Sequence, residues 1–80
     1  MSREQITETL SEIFEDVMDL EDVELTDSTT ADDVEEWDSL SHVRLVVAVE
    51  REWGISFTNA EIEGFRRVGD LISAIEVKAA

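Results

Sequence analysis

Apolar residues recur at helical spacing in several segments of this chain, and one long acidic stretch breaks the pattern. Ile6, Leu10, Ile13, Phe14, Val17 and Met18 form a single stripe and predict a helix from about Arg3 to Asp19. Ser2 and Gln5 read as a capping box at its start. Glu4, Glu8, Glu12, Glu15 and Asp16 fall on the opposite face and read as solvated. From Leu20 to Trp37 the periodicity is lost among acids, serines and threonines. That segment predicts a long ordered loop, pinned to the core by Val23, Leu25, Val34 and Trp37. A loop of this length is uncommon unless it has a function.

The pattern resumes at Asp38, a good N-cap because its carboxylate can accept from the free N–H groups of a first helical turn. Leu40, Val43, Val46, Val47, Val49 and Trp53 follow at three-to-four spacing, widened by Leu45 and Ala48, and Gly54 supplies a left-handed stop. The run Val46-Val47-Ala48-Val49 has strand character, but the length and flanking spacing predict a helix. After Ile55 and Phe57, Thr58-Asn59-Ala60-Glu61 is a second capping box. It opens a short helix holding Ile62 and Phe65 and ended by Arg66-Arg67. Val68, Leu71, Ile72 and Ile75 form a last stripe toward Lys78. The predicted fold class is all-α: a four-helix bundle with a long loop between helices one and two and a short third helix. The absence of proline and the presence of only three glycines agree with it.

Eighty residues make one domain, 1–80, with a modest core. There is no cysteine, hence no disulfide and no thiolate metal site. Met1-Ser2-Arg3-Glu4-Gln5 lacks the apolar run of a signal peptide, and no segment approaches the roughly 20 apolar residues of a membrane helix. The chain reads as a soluble, cytoplasmic monomer without membrane insertion. It begins with Met1 and ends soon after its last stripe without linker sequence, as a discrete protein would.

Charge narrows the possible partners. Twenty-one acids against six bases give a net charge of −15. Such a surface repels nucleic acid and anionic membranes, which bind basic patches, and attracts basic protein surfaces. So much charge raises disorder as an alternative, which the regular apolar spacing argues against.

Few residues could carry chemistry. Ser39 and His42 lie one helical turn apart beside Asp38, but a nucleophilic serine needs a base that reaches its oxygen and a third group that orients the base. No nucleophile elbow surrounds Ser39, and the first turn points poorly for that contact, so His42 reads as an ordinary surface residue. Asp32, Asp33, Glu35, Glu36 and Asp38 do not follow the calcium-loop order, and weak, charge-relieving divalent binding is the most they suggest. No metal site and no catalytic residue is predicted.

Trp37-Asp38-Ser39-Leu40 is more specific. Asp38-Ser39-Leu40 resembles the D-S-L motif of acyl carrier proteins, and Ser41 through Ile55 resembles the helix that follows it in that family. Phe57 through Glu61 and Val68 through Ile72 resemble the family's third and fourth helices, so the likeness spans essentially the whole chain.

The resemblance implies that Ser39 receives 4′-phosphopantetheine from coenzyme A, that Asp38 and Leu40 help the transferase dock, and that acyl groups ride as thioesters on the arm's thiol. It implies as partners a phosphopantetheinyl transferase and acyl-loading and acyl-processing enzymes with basic docking surfaces. Trp37, Leu40, Arg44, Val47, Glu50 and Arg51 are the expected partner-recognition residues. The family also shelters cargo between its helices, and Val43, Val46, Val47, Ile62, Phe65 and Leu71 are either lining for such a cavity or plain core. Arg44 and Arg51 stand where carriers of fatty-acid synthesis are usually acidic, and Trp37 and His42 also differ from that pattern. These departures resemble carriers of specialised acyl, polyketide or aminoacyl pathways. A peptidyl or aminoacyl carrier and a non-carrier acidic docking module remain alternatives.

Overall fold

The computed structural model describes residues 2–79; Met1 and Ala80, the ends of the single domain expected over 1–80, lie outside the described residues. Four helices form in the predicted order: α1 Arg3–Met18, α2 Ser39–Trp53, α3 Asn59–Gly64 and α4 Val68–Lys78. Among the described residues, no helix is long and apolar enough to cross a membrane.

The helix ends follow local chemistry. Ser2 and Gln5 form a reciprocal capping box on α1, as Thr58 and Glu61 do on α3. Gly54 stops α2 in the left-handed conformation, φ 63°, where a glycine meets no side-chain strain. Asp19 ends α1 in the same region at φ 54°, which Asp tolerates better than most residues.

The apolar stripes meet in one core. Ile6, Leu10 and Phe14 of α1, Leu45 and Val49 of α2, and Val68, Leu71, Ile72 and Ile75 of α4 are fully or almost fully buried. Each such side chain contributes about 1.5–3 kcal/mol by leaving water. α1 packs against both α2 and α4. α3 has no buried residue, and Phe65, expected inside it, is its C-cap.

The long loop is ordered through backbone pairing that its sequence does not advertise. The Val68 N–H donates to the Thr29 carbonyl (2.8 Å) and the Gly69 N–H to the Asp27 carbonyl (2.9 Å), tying the loop to the start of α4. Gly69 is required for this approach, since a Cβ there would lie 2.7 Å from the Asp27 oxygen. Val34 and Trp37 are buried, and Val23 and Leu25 pack against the core, as predicted. Glu15, expected to be solvated, is half-buried and accepts the Val23 N–H (3.2 Å), so this acid fastens the loop. Arg3 adds a second fastening through Asp27 (3.0 Å) and Glu76, joining α1, the loop and α4.

Candidate functional site at the start of helix two

Asp38 is extended at the N-cap of α2, and its Oδ1 accepts the Ser41 N–H at 2.9 Å. That backbone bond, helped by the Ser41 hydroxyl, holds the Asp38 carboxyl below the usual carboxylate range. The Asp38 carbonyl accepts the His42 N–H at 2.8 Å, closing the first turn. Ser39 is thereby the first residue of α2, and it is exposed. The free N–H groups and the dipole of a helix start favour an anion at this position.

Ser39 opens onto a cleft of about 720 Å³ between the end of the long loop, the start of α2 and the end of α3. Trp37, Val43, Ile62 and Phe65 give it apolar walls, while Asp32, Asp38, Glu63 and Arg66 give it charge. Among the described residues, no group of three or more His, Asp or Glu side chains is arranged to hold a metal ion. Asp33 is engaged within the loop, accepting the Thr30 N–H (3.0 Å).

His42 is not the ordinary surface residue the sequence suggests. It is half-buried, its Nδ1 accepts the Trp37 indole N–H (3.1 Å), and its Nε2 lies 2.9 Å from the Ile62 carbonyl. An accepting Nδ1 places the neutral ring's proton on Nε2, which then donates to Ile62. Both nitrogens are used, so none is free to take a proton from Ser39. The ring also stacks on Trp37 at 6.1 Å, with an interplanar angle of 22°.

The residues expected to meet partners divide into two groups. Leu40, Val47, Arg44 and Arg51 are exposed, with Leu40 63% and Val47 41% accessible. They follow one stripe along α2, with Arg44 and Arg51 about two turns apart. Trp37 is a correction: only 5% exposed, it packs edge-on against Phe14 at 5.1 Å, and what little of it is accessible lines the cleft and not the outer stripe of α2. Glu50 is a second: half-buried, its carboxylate accepts the Phe57 N–H (2.8 Å) and so holds the turn after α2.

The residues considered as cavity lining also divide. Val43, Ile62 and Phe65 line the open cleft. Val46 and Leu71 are closed into the core, and Val47 faces outward.

The chain matches the model of the family described as "Phosphopantetheine attachment site" over residues 8–75. It is 33% identical over 75 residues to the meromycolate extension acyl carrier protein of Mycolicibacterium aurum, covering 94% of this chain and 77% of that one. It is 34% identical over 76 residues to an acyl carrier protein of Rhodococcus erythropolis, covering 94% and 82%. Its fold is similar to the solution structure of a holo acyl carrier protein from Geobacter metallireducens, with a TM-score of 0.84 and 38% identity over 90% of this chain and 83% of that one. A helical bundle that buries its core around α1 and exposes a serine at the head of α2 is what these relatives share a sequence with, and the chain belongs to the phosphopantetheine-binding acyl carrier protein family.

Proposed function

We propose that Ser39 is the residue that bears the 4′-phosphopantetheine arm, and that this carrier serves a dedicated set of enzymes. As a family member the chain is a non-catalytic carrier of phosphopantetheine-linked acyl intermediates, handled by a phosphopantetheinyl transferase and acyl-processing enzymes. The observation that carries the placement is the exposed Ser39 hydroxyl at the head of α2, directly after the Asp38 cap and on the rim of an apolar-walled cleft.

The residues fit the group. The Ser39 oxygen is accessible to form the bond to phosphorus as the phosphoanhydride of coenzyme A breaks, adenosine 3′,5′-bisphosphate leaving and the hydroxyl proton passing to a base of the transferase or to water, and the helix start favours the resulting phosphodiester. Trp37, Val43, Ile62 and Phe65 give the cleft apolar walls against which an arm can lie. The arm supplies a thiol, which this chain lacks, and the thiol holds acyl groups as thioesters.

The stripe Leu40, Arg44, Val47 and Arg51 supports the dedicated role. Arg3, Arg67 and Lys78 are spent on internal ion pairs, whereas Arg44, Arg51 and Arg66 are exposed and outside every ion pair among the described residues, and of these Arg44 and Arg51 share the α2 stripe. Two such arginines would meet acids on a partner, while the rest of this acidic surface meets basic ones. Labelling with a coenzyme A conjugate and a promiscuous transferase tests the placement. The parent takes label and Ser39→Ala takes none. Equal labelling of both would remove Ser39 from the account.

A further inference from the structure

Ser39 is the first residue of α2, and the first N–H groups of a helix have no partner inside it, so helix ends fray. Three hydrogen bonds span the chain from before Ser39 to after it. The Ser41 N–H donates to the Asp38 carboxylate (2.9 Å), the His42 N–H to the Asp38 carbonyl (2.8 Å), and the Trp37 indole N–H to His42 Nδ1 (3.1 Å).

The third bond differs from the other two. A cap and a first helical turn tie α2 to the residue beside Ser39 and no further. Trp37 and His42 are each anchored elsewhere as well. Trp37 is buried against Phe14 of α1 at 5.1 Å, and His42 Nε2 donates to the Ile62 carbonyl of α3 at 2.9 Å. The chain from Trp37 to His42 is thus closed by a side-chain bond whose two ends are fixed to different helices, and the exposed Ser39 lies within it.

We propose that His42 is a positioning residue for arm attachment, which holds the Ser39 hydroxyl in one place for the transferase through its bond to Trp37. The proposal rests on the reading of Ser39 as the attachment residue. In the transfer the Ser39 oxygen bonds to phosphorus, the phosphoanhydride of coenzyme A breaks, adenosine 3′,5′-bisphosphate leaves, and the serine proton passes to the transferase or to water. His42 takes no proton in that step, because both its nitrogens are engaged. Its contribution is orientation. A misplacement of about 1 Å caused by a residue away from the chemistry can slow a reaction by up to about a hundredfold. The outward stripe of α2 is untouched by the bond, so its loss should lower the maximal rate and leave KM for the carrier unchanged.

The imidazole also makes the bond sensitive to pH. A proton on Nδ1 turns this acceptor into a donor facing the Trp37 donor, while the bond to Ile62 survives. The charged groups around the ring are Asp32 and Asp38 at the loop end and Glu63 and Arg66 at the α3 end, all lining the same cleft as His42. α1 meets the pair through the uncharged Phe14. Glutamine at position 42 would offer the same pairing of one acceptor and one N–H donor without titrating.

The test follows arm transfer from coenzyme A by a promiscuous transferase onto the parent, His42→Ala, His42→Gln and Trp37→Phe, with kcat and KM for the carrier read separately. His42→Ala and Trp37→Phe should each lower kcat roughly tenfold with KM unchanged, and His42→Gln should recover most of that loss. A variant that is merely part unfolded would dilute the folded carrier and raise KM instead. The ratio of parent to His42→Gln rates cancels the transferase's own pH dependence. It should fall as pH is lowered from about 8 to about 5.5, the range in which histidine ordinarily changes charge. Trp37→Phe keeps a ring against Phe14 and carries the test if His42→Ala fails to fold. Unchanged kcat in both variants, a loss confined to KM, a His42→Gln no faster than His42→Ala, or a ratio independent of pH would each overturn the proposal. A parent that takes no arm on Ser39 would sink the Ser39 reading itself, which separates the two failures.

Discussion

The Trp37 indole N–H donates to His42 Nδ1 across 3.1 Å, and through this bond the last residue before the D-S-L motif is fixed to the helix that the motif opens. The Trp37 ring is buried against Phe14, so the bond sets the direction in which the loop delivers the chain to Asp38 and Ser39. The local geometry of the site thus depends on core packing as well as on the cap.

If the two side chains act as a unit, their substitutions will not add. Trp37→Phe should cost about 2 kcal/mol, from the lost volume and the acceptor left unpaired. In a double-mutant cycle with His42→Ala, the second substitution should cost less by roughly 0.5–1 kcal/mol once the first is made. Urea unfolding of the four proteins measures this, and strict additivity would show that the bond contributes nothing.

Gly69 and Gly64 should respond in opposite ways to alanine. At Gly69 a Cβ would meet the Asp27 carbonyl oxygen at 2.7 Å, whereas at Gly64 it meets nothing within 4 Å. Gly69→Ala should destabilise by about 1–3 kcal/mol because the loop must lift from α4. Gly64→Ala should be neutral or stabilising by up to about 1 kcal/mol, since alanine is the better helix former. Thermal melts of both variants decide it, and a destabilisation confined to Gly64→Ala would contradict this account of the loop.

Local signals in the sequence foretold the helix ends well. The capping boxes Ser2/Gln5 and Thr58/Glu61, the Asp38 cap and the Gly54 stop each depend on residues a few positions apart. Ser39 was singled out differently, by the D-S-L motif within a resemblance that spans the chain, since its local position alone reads as a plain helix-start serine. His42 was misread because its partner Ile62 lies far along the chain, and nothing local marks a histidine that will bridge two helices. Glu15 and Glu50 could not be told from the other acids, because each is distinguished only by a distant backbone N–H, those of Val23 and Phe57. The need for glycine at position 69 likewise comes from Asp27, on a loop whose path the apolar pattern does not define.

The Asp38 cap carries a pH signature. Its carboxyl is held below the usual range chiefly by the Ser41 N–H, so the folded state binds this proton less readily than the unfolded chain does. The stabilisation is therefore complete above the unfolded-state value of about 4 and is lost as pH falls through the lower folded-state value. The stability advantage of the parent over Asp38→Ala should be constant near neutrality and should shrink once pH drops below about 4. A difference independent of pH across that window would show that the cap does not act through its ionised carboxylate.

The arginine stripe on α2 should govern choice of partner. Arg44→Glu combined with Arg51→Glu gives that face the charge of the rest of the molecule. Acylation by a fatty-acid ketosynthase with a basic docking surface should then speed up by roughly tenfold at low salt, mainly through the association rate, and the gain should fade as salt is added. No change at any ionic strength would mean that the two arginines lie outside the docking face.

Ser39 and Ser41 are neighbouring hydroxyls on the first turn of α2, and the account assigns the arm to only one of them. Ser39 is exposed and lines the cleft, while Ser41 is half-buried with its N–H bound to Asp38. The most direct measurement is fragmentation mass spectrometry of the protein after reaction with coenzyme A and a transferase. A single phosphopantetheine located on Ser39 is the result the account predicts. An adduct on Ser41, or none on a folded chain beside a carrier that reacts normally, would contradict it.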